Sequence, residues 1–517
     1  MTTAGWVPGR DTRAVRHPAT GGARRSDGHR PVLVAVGGSA GLAAATGLAE
    51  RGVPVTVVEA QPQLGGRVRA WPVEHPGAEG PGRTMSRGFH AFFRQYYNLR
   101  ALLRRTDPGL ERLVPLEDYP LVLAGGHRDS FATLPRTPPL SIATFVAQSP
   151  SFTAADLARV DIPAALELLD VDFPVTFSRY DGESAADFLD RLRFPADARH
   201  LALEVFARSF FAHPGEFAAG ELVAMFHSYF TGSAEGLLFD VPRDDYDTSL
   251  WAPLGRYLHG QGVEVLTSTT VEHVTGSGSG ADLEVTLGSG EQRRVAGVVV
   301  ATDPATTRRL VTGSPLFDAD YAERVGAGRN APPFAVWRLW LDRRADVERS
   351  PFLGTSGFGP LDNVSLLERF EDGARRWSDE RGGSVVELHA YALRGIPDEA
   401  ALRAELRSQL DVLYPELAGA EVVAQEWMVS EDCPLASTAP WQLRPDVATR
   451  DPRVVLAGDG VRCDYPVALM ERAATTGWLA ANALLAREGV AGHDVWTVPL
   501  RSRHPVAGRV RRLLTRR

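Results

Sequence analysis

Residues 32–67 read VLVAVGGSAGLAAATGLAERGVPVTVVEAQPQLGGR, and their grammar decides the fold. Val32 to Val36 is a short apolar, β-branched run, the pattern of a buried strand. Gly37, Gly38 and Gly41 interrupt it, and an alanine-rich helix runs on to Glu50. Gly52 stops the helix, and a second apolar strand, 53–58, ends at Glu59. Strand, glycine turn, helix, strand and terminal acid make a βαβ unit, so the chain is predicted to be α/β with a Rossmann-like domain. The backbone of Gly37, Gly38, Ser39, Ala40 and Gly41, at the turn and helix start, is placed to meet a pyrophosphate. Glu59 lies 18 residues after Gly41, close to the roughly 20 at which an acid accepts from a ribose hydroxyl. A second glycine pair follows at Gly65, Gly66 and Arg67. Two blander readings compete: a strand–turn–helix that binds nothing, and a membrane span over the uncharged residues 31–49. The coincidence of every part in order weighs against the first, and the glycine and alanine content against the second.

A GGR following such a unit resembles the FAD-dependent flavoprotein family that includes amine oxidases and carotenoid desaturases. In that family the turn binds the FAD diphosphate, the acid binds the adenosine ribose, and GGR passes near the flavin. One position departs from the GxGxxG pattern. Aligned on Gly41 and Leu42, Gly38 is the second glycine and Val36 stands where the first would be. A β-branched residue does not comfortably take positive φ. Two outcomes are expected: Gly37 serves as first glycine of a shortened turn, or Val36 keeps strand dihedrals and crowds the pyrophosphate.

The resemblance sharpens at residues 85–98, MSRGFHAFFRQYYN. Gly88, His90, Phe92, Phe93, Tyr96 and Asn98 look like the G-x-H-x-F-F-x-x-Y-x-N stretch of carotenoid desaturases. The longer string 85–108, with LDNVSLLERF, SVVELHAY, EDCPL and AGDGVRCDYPVALMERAATTG further on, is similar to the isorenieratene synthases. These desaturate the β-ionone ring of β-carotene and shift a methyl group. The resemblance covers most of residues 31–490 and implies FAD as cofactor. It also implies that the Val271 backbone meets the adenine, and that Gly458 and Asp459 hold the ribityl–phosphate side. Phe92, Phe93, Tyr96 and Tyr97 would wall the substrate cavity; core packing is the alternative for each. His90 is the first candidate proton acceptor, with Asp464 and Glu471, beside the second glycine turn and its helix, next.

Composition narrows the chemistry. The chain has 517 residues, too many for one core, a net charge of −8 and 44 % hydrophobic residues. It contains no lysine, which removes Schiff-base chemistry and the Walker phosphate lysine. Cys433 and Cys463 are too few for a disulfide scaffold or a structural zinc site, so no metal is expected. Nothing points to nucleic acid, and no secretory signal opens the chain, so a cytoplasmic location is expected. Residues 1–30 read as a disordered basic tail, and residues 491–517 as a second basic tail. In the latter, Val506, Val510, Leu513 and Leu514 recur at helical spacing between arginines, as in a helix lying on an anionic membrane; a frayed tail is the alternative. The FAD-binding domain is expected to be discontinuous, over 31–110, 248–310 and 445–490, with a substrate domain of mixed sheet and helices over 111–247 and 311–444. Helices are predicted over 185–192, 196–211, 219–230, 248–260 and 399–413, a hairpin over 119–131, three or four strands over 263–301, and further strands over 334–342 and 384–391.

The function implied is an FAD-dependent carotenoid oxidoreductase acting on β-carotene at the inner membrane face. An amine oxidase on the same fold, a phytoene desaturase-like enzyme, or a non-catalytic relative such as the GDP-dissociation inhibitors remains open; the Val36 departure favours the last.

Overall fold

The computed structural model of the chain describes residues 8–74, 83–195, 198, 199, 210–278, 280 and 282–503. The nucleotide-binding half is a parallel five-stranded sheet in the order Glu264–Leu266, Val55–Val58, Val32–Ala35, Gly297–Val300, Val454–Leu456. The last three strands are buried at every residue, which is why they read as unbroken apolar runs. Helices Ser39–Glu50 and Leu469–Arg487 pack against each other and against this sheet. Small residues let them approach: a Cβ on Gly477 would lie 2.2 Å from the Ala40 carbonyl oxygen. Between the sheet strands Glu264–Leu266 and Gly297–Val300 a meander, Val271–Gly276, Leu283–Leu287 and Gln292–Val295, returns the chain to the sheet.

The second half is built on a seven-stranded sheet ordered Val422–Ser430, Phe334–Leu341, Ser384–Ala390, Asn363–Leu366, Phe352–Ser356, Leu121–Leu123, Arg128–Asp129. All its ladders are antiparallel except the one between Phe352–Ser356 and Leu121–Leu123. Alternation along Phe334–Leu341 sorts its two faces. Ala335, Trp337, Leu339 and Leu341 join a cluster with Leu402, Leu406 and Leu410 of helix Glu399–Leu413. Val336 and Trp340 join the large core that continues into the nucleotide-binding half. Arg338, between them on that inner face, is 2 % exposed.

The predicted elements are largely found, with shifted ends. The hairpin is Leu121–Leu123 with Arg128–Asp129, and the amphipathic helix is Glu399–Leu413. The helix expected over 219–230 runs Ala219–Phe226 and continues as a π-helical turn, His227–Thr231. That expected over 248–260 is a π turn, Asp247–Trp251, followed by Ala252–Gly260. Most of the helix expected over 196–211 lies outside the described residues.

The expectation for the chain's start needs correction. Strand Val15–His17 pairs antiparallel with Val495–Thr497. Asp11 is 2 % exposed, forms an ion pair with Arg503, and its backbone N–H donates to Glu235 at 2.9 Å. A Gly- and Arg-rich segment looks disordered in isolation, but its order comes from a partner strand at the other end of the chain. The same pairing orders the start of the expected C-terminal tail; its amphipathic part, from Val506 on, lies outside the described residues.

Candidate active site

The glycine turn is the first component. Val36 takes φ +85°, so neither expected outcome holds: the turn is not rebuilt around Gly37, and Val36 does not keep strand dihedrals. Instead valine itself adopts the left-handed conformation, at a cost of about 1–2 kcal/mol. The turn leaves Gly41 no room for a side chain, since a Cβ there would lie 1.9 Å from the Val36 carbonyl oxygen. Gly38 caps helix Ser39–Glu50 with no side-chain hydrogen bond, and the first turn carries no acid. Ser39, Ala40 and Gly41 are all buried. A buried helix start with free N–H groups and no side-chain cap requires a partner, and a phosphate is the natural one. These residues therefore fit the diphosphate of a dinucleotide.

Glu59 closes the second strand at 2 % exposure. Its Oε2 accepts from Gly37 N–H at 2.9 Å and its Oε1 from Gln61 N–H at 2.8 Å, while burial pushes the carboxyl upward. Each oxygen keeps a second lone pair that can accept from a ribose hydroxyl. The GGR stretch folds back onto the turn: Gly65 N–H donates to the Gly37 carbonyl at 2.7 Å, and a Cβ on Gly66 would lie 2.9 Å from the Gly38 Cα. Arg67 then reaches Asp459, Nη1 to Oδ2 at 2.9 Å with a second contact alongside. Gly458, Asp459 and Arg67 line a cavity of about 590 Å³ with Phe211, Cys433 and Arg472. Val271 begins the meander, and its carbonyl accepts from Arg309 at 2.9 Å.

The aromatic stretch does not form one wall. Phe92 is wholly buried, in the short strand Phe92–Phe93 that pairs with Phe239–Pro242. Phe93 and Tyr96 join Tyr229 in one cluster, the two tyrosine hydroxyls 2.7 Å apart. Tyr97 turns away, and its hydroxyl donates to Glu235 at 3.2 Å, among the contacts that fix the N-terminal segment. None of the four, nor His90, lines the cavity that holds Arg67 and Asp459. His90 is half-buried; Tyr246 Oη is 3.0 Å from its backbone N–H, and burial pushes its imidazole down to about 4. Its Nδ1 lies 2.8 Å from the Gly88 carbonyl, which puts the proton on Nδ1 and leaves Nε2 with a lone pair.

Two of the expected acids, Glu471 and Asp464, do not line that cavity. Glu471 is buried, and its carboxylate accepts from Asn98 N–H, Asn98 Nδ2 and Leu99 N–H at 2.8, 2.8 and 2.9 Å. It caps helix Tyr97–Leu103 from across the fold, a structural task; burial pushes its carboxyl up to about 8 against those donors. Asp464 is exposed, 4.0 Å from Arg462, and stands in solvent.

Sequence reasoning missed two buried groupings. Glu221 accepts from Arg472 at 3.0 and 2.6 Å and also pairs with Arg444, beneath the cavity. On the inner face of the large sheet, Arg338, Glu387, His389 and Tyr391 form a continuous polar row. The alternation E-L-H-A-Y at 387–391 was its visible signal. Among the described residues no cluster of His, Cys, Asp and Glu could hold a metal ion.

Comparison with known proteins places this geometry. The family described as Flavin containing amine oxidoreductase matches residues 39–485. The carotenoid phi-ring synthase of Streptomyces griseus is 52 % identical over 97 % of each chain. That of Chlorobaculum tepidum is 26 % identical over 91 % of each. Among solved structures, cyclohexylamine oxidase from Brevibacterium oxydans has a TM-score of 0.64 at 15 % identity, covering 89 % of this chain and 99 % of its own. Putrescine oxidase bound to putrescine gives the same TM-score, identity and coverage.

Proposed function

Because this chain belongs to the flavin-containing amine oxidoreductase family, and is a flavin-dependent oxidoreductase, we propose that it converts the β-ionone end ring of β-carotene into a trimethylphenyl ring, with a 1,2-methyl shift. The observation that carries this reading is the 52 % identity, over 97 % of both chains, to a carotenoid phi-ring synthase, the φ end group being aromatic. FAD, when bound, supplies the hydride acceptor. The N-terminus of helix Ser39–Glu50 would hold its diphosphate, Glu59 its ribose, and the Gly65–Arg67 turn with Asp459 the flavin side.

The ring must lose four hydrogens, as two hydrides and two protons. Hydride loss beside the gem-dimethyl carbon leaves a cation; one methyl moves into it with its electron pair, and a proton then leaves the carbon that received the methyl. The chain has to keep water from the cation and take up protons. His90 suits the second task, because burial keeps it neutral at neutral pH and its Nε2 lone pair is free. Its low basicity is no obstacle, since a C–H bond next to a carbocation is strongly acidic. No Lys ammonium competes for the site, as the chain has none.

β-Carotene dissolves in membranes, so the reading includes contact with a membrane surface. Among the described residues no helix is long and apolar enough to cross a bilayer. The basic segment from Val506 onward is the proposed point of contact. The test is pigment chromatography after expression in a β-carotene-producing host. Mono- and then di-aromatic carotenoid is expected; unchanged β-carotene beside flavin-loaded protein overturns the reading.

A further inference from the structure

Glu387 and His389 alternate along strand Ser384–Ala390, and Tyr391 follows at the same spacing, so all three leave the inner face of the large sheet. Glu387 and His389 are each 1 % exposed. Arg338 is registered directly opposite Glu387, and its Nε and Nη2 donate to Glu387 Oε2 at 2.9 and 2.6 Å. Its remaining donors reach the Thr84 carbonyl at 2.6 Å and Ser86 Oγ at 3.0 Å. The other Glu387 oxygen lies 2.8 Å from His389 Nε2. The Phe89 N–H also points at Nε2, at 3.3 Å, but the shorter carboxylate contact places the proton on Nε2, so Nδ1 presents a lone pair. Nδ1 faces the Tyr391 hydroxyl at 2.5 Å, and the phenol therefore donates to the imidazole. Asn363 Nδ2 donates to the same phenol oxygen at 3.1 Å.

The row has a direction. It starts at the deeply buried guanidinium and ends at the half-buried Tyr391, whose ring meets Phe211 edge-on at 5.1 Å. Phe211 lines the cavity shared with Arg67 and Asp459. The aromatic stretch rides on the same imidazole, since a Cβ on Gly88 would lie 2.6 Å from His389 Cε1. Stability alone does not explain the row, because a buried ion pair replaced by apolar residues of similar volume is often neutral or more stable.

We propose that Tyr391, His389, Glu387 and Arg338 form a proton relay that takes up one of the two protons the ring releases. This rests on the reaction proposed above, in which the protons leave different carbons and one base within reach of both is not required. As the ring C–H bond breaks, its electron pair closes a ring double bond. The proton passes to Tyr391 Oη while the phenol's own proton passes to His389 Nδ1. The charge then rests on the imidazolium, beside the Glu387 carboxylate. Burial pushes the Tyr391 phenol up, so it accepts a proton only by handing its own on. Burial would raise Glu387 too, but Arg338 and His389 hold its carboxyl down at about 2, which keeps it charged for the imidazolium. Glu387 and Arg338 are positioning residues, since they act through His389.

The test uses full-length, FAD-loaded protein with β-carotene, comparing wild type with Tyr391→Phe and Glu387→Gln. Both variants should retain flavin and bind carotenoid with an unchanged KM. Each should lose about 10²-fold or more in kcat, in the range of a lost general base. The acid limb of the kcat profile should move or vanish in both. Charged and titratable groups facing the row are Glu371 and Tyr246 beside Arg338 and Glu387, Asp362 at the Tyr391 N–H, Cys433 near the Tyr391 phenol, and Arg87 and His90 on the aromatic stretch. Glu371, whose carboxyl burial pushes up to about 8, serves as control: Glu371→Gln should leave the acid limb in place. In the apo-protein, the Nε2 proton bonded to Glu387 should give a low-field imidazole resonance that Glu387→Gln abolishes. An active wild type together with one folded variant within about twofold of its kcat, and an unmoved pH profile, overturns the relay alone. A wild type that leaves β-carotene untouched overturns the reaction and the relay with it.

Discussion

The Val36 carbonyl and the Gly41 α-carbon are in direct contact: a Cβ on Gly41 would lie 1.9 Å from the Val36 oxygen. Val36 holds φ +85° in that arrangement. Gly41→Ala is thus expected to give protein without flavin, and Val36→Gly to go the other way. Relief of left-handed strain, about 1–2 kcal/mol, exceeds the entropic cost of a glycine, about 0.5–1 kcal/mol. The net gain, up to about 1.5 kcal/mol, should appear as a higher urea midpoint in the apo-protein. A lower midpoint would show that the turn tolerates valine without strain.

Arg67 and Asp459, 392 residues apart, tie the GGR turn to the last strand of the parallel sheet. Their side chains are 27 % and 14 % exposed, so the pair is only partly screened. A double-mutant cycle with Arg67→Leu and Asp459→Leu should give a coupling of about 1–3 kcal/mol in the apo-protein. Additive effects would mean that the two side chains do not meet in solution.

Glu471 is expected to matter for folding and not for turnover. Glu471→Ala removes the acceptor for three N–H groups around helix Tyr97–Leu103, costing about 2 kcal/mol or more. Thermal melting should fall by several degrees while kcat per bound flavin stays within about twofold. A variant of normal stability but without activity would return Glu471 to the chemistry.

His227, 1 % exposed, gives the pH dependence of stability. Its Nε2 lies 2.7 Å from the Pro499 carbonyl, and burial pushes its imidazole from 6.5 down to about 4. Between those values the unfolded chain binds the proton and the folded chain does not, so stability falls as pH drops from 6.5 to about 4. The loss is on the order of 3 kcal/mol. His90, also pushed down to about 4, adds a decline of the same sign. His227→Gln should therefore make the fall of the urea midpoint across that window clearly shallower without abolishing it; an equally steep decline in the variant would assign it to other groups.

The βαβ unit was legible because each of its parts is local: a run of valines, glycines at a turn, an acid at a strand end. What escaped the sequence depends on partners far along the chain. Glu471 looks like a free acid beside a glycine turn until Asn98, 373 residues away, is seen to occupy it. His17 looks like part of a loose tail until Thr497, 480 residues on, bonds to its ring at 2.8 Å. Glu387, His389 and Tyr391 were quoted as strand residues, yet their meaning needed Arg338 from the neighbouring strand. Val36 is visible in the sequence as a departure from the glycine pattern, but its left-handed φ runs against the preference of a β-branched residue and so cannot be read from its identity.

The parallel sheet has a consequence for the order of events during synthesis. Its edge strand Val454–Leu456 and the helix Leu469–Arg487 that covers Ser39–Glu50 are made more than 400 residues after the strand Val32–Ala35. Until they emerge, the first helix has one bare apolar side, and Arg67 has no Asp459 to meet. The nucleotide cradle is therefore begun at one strand and can be closed only by segments more than 400 residues further along. Until then the chain carries an alanine-lined helix without the partner that covers it, a surface free to meet the same surface of another unfinished chain.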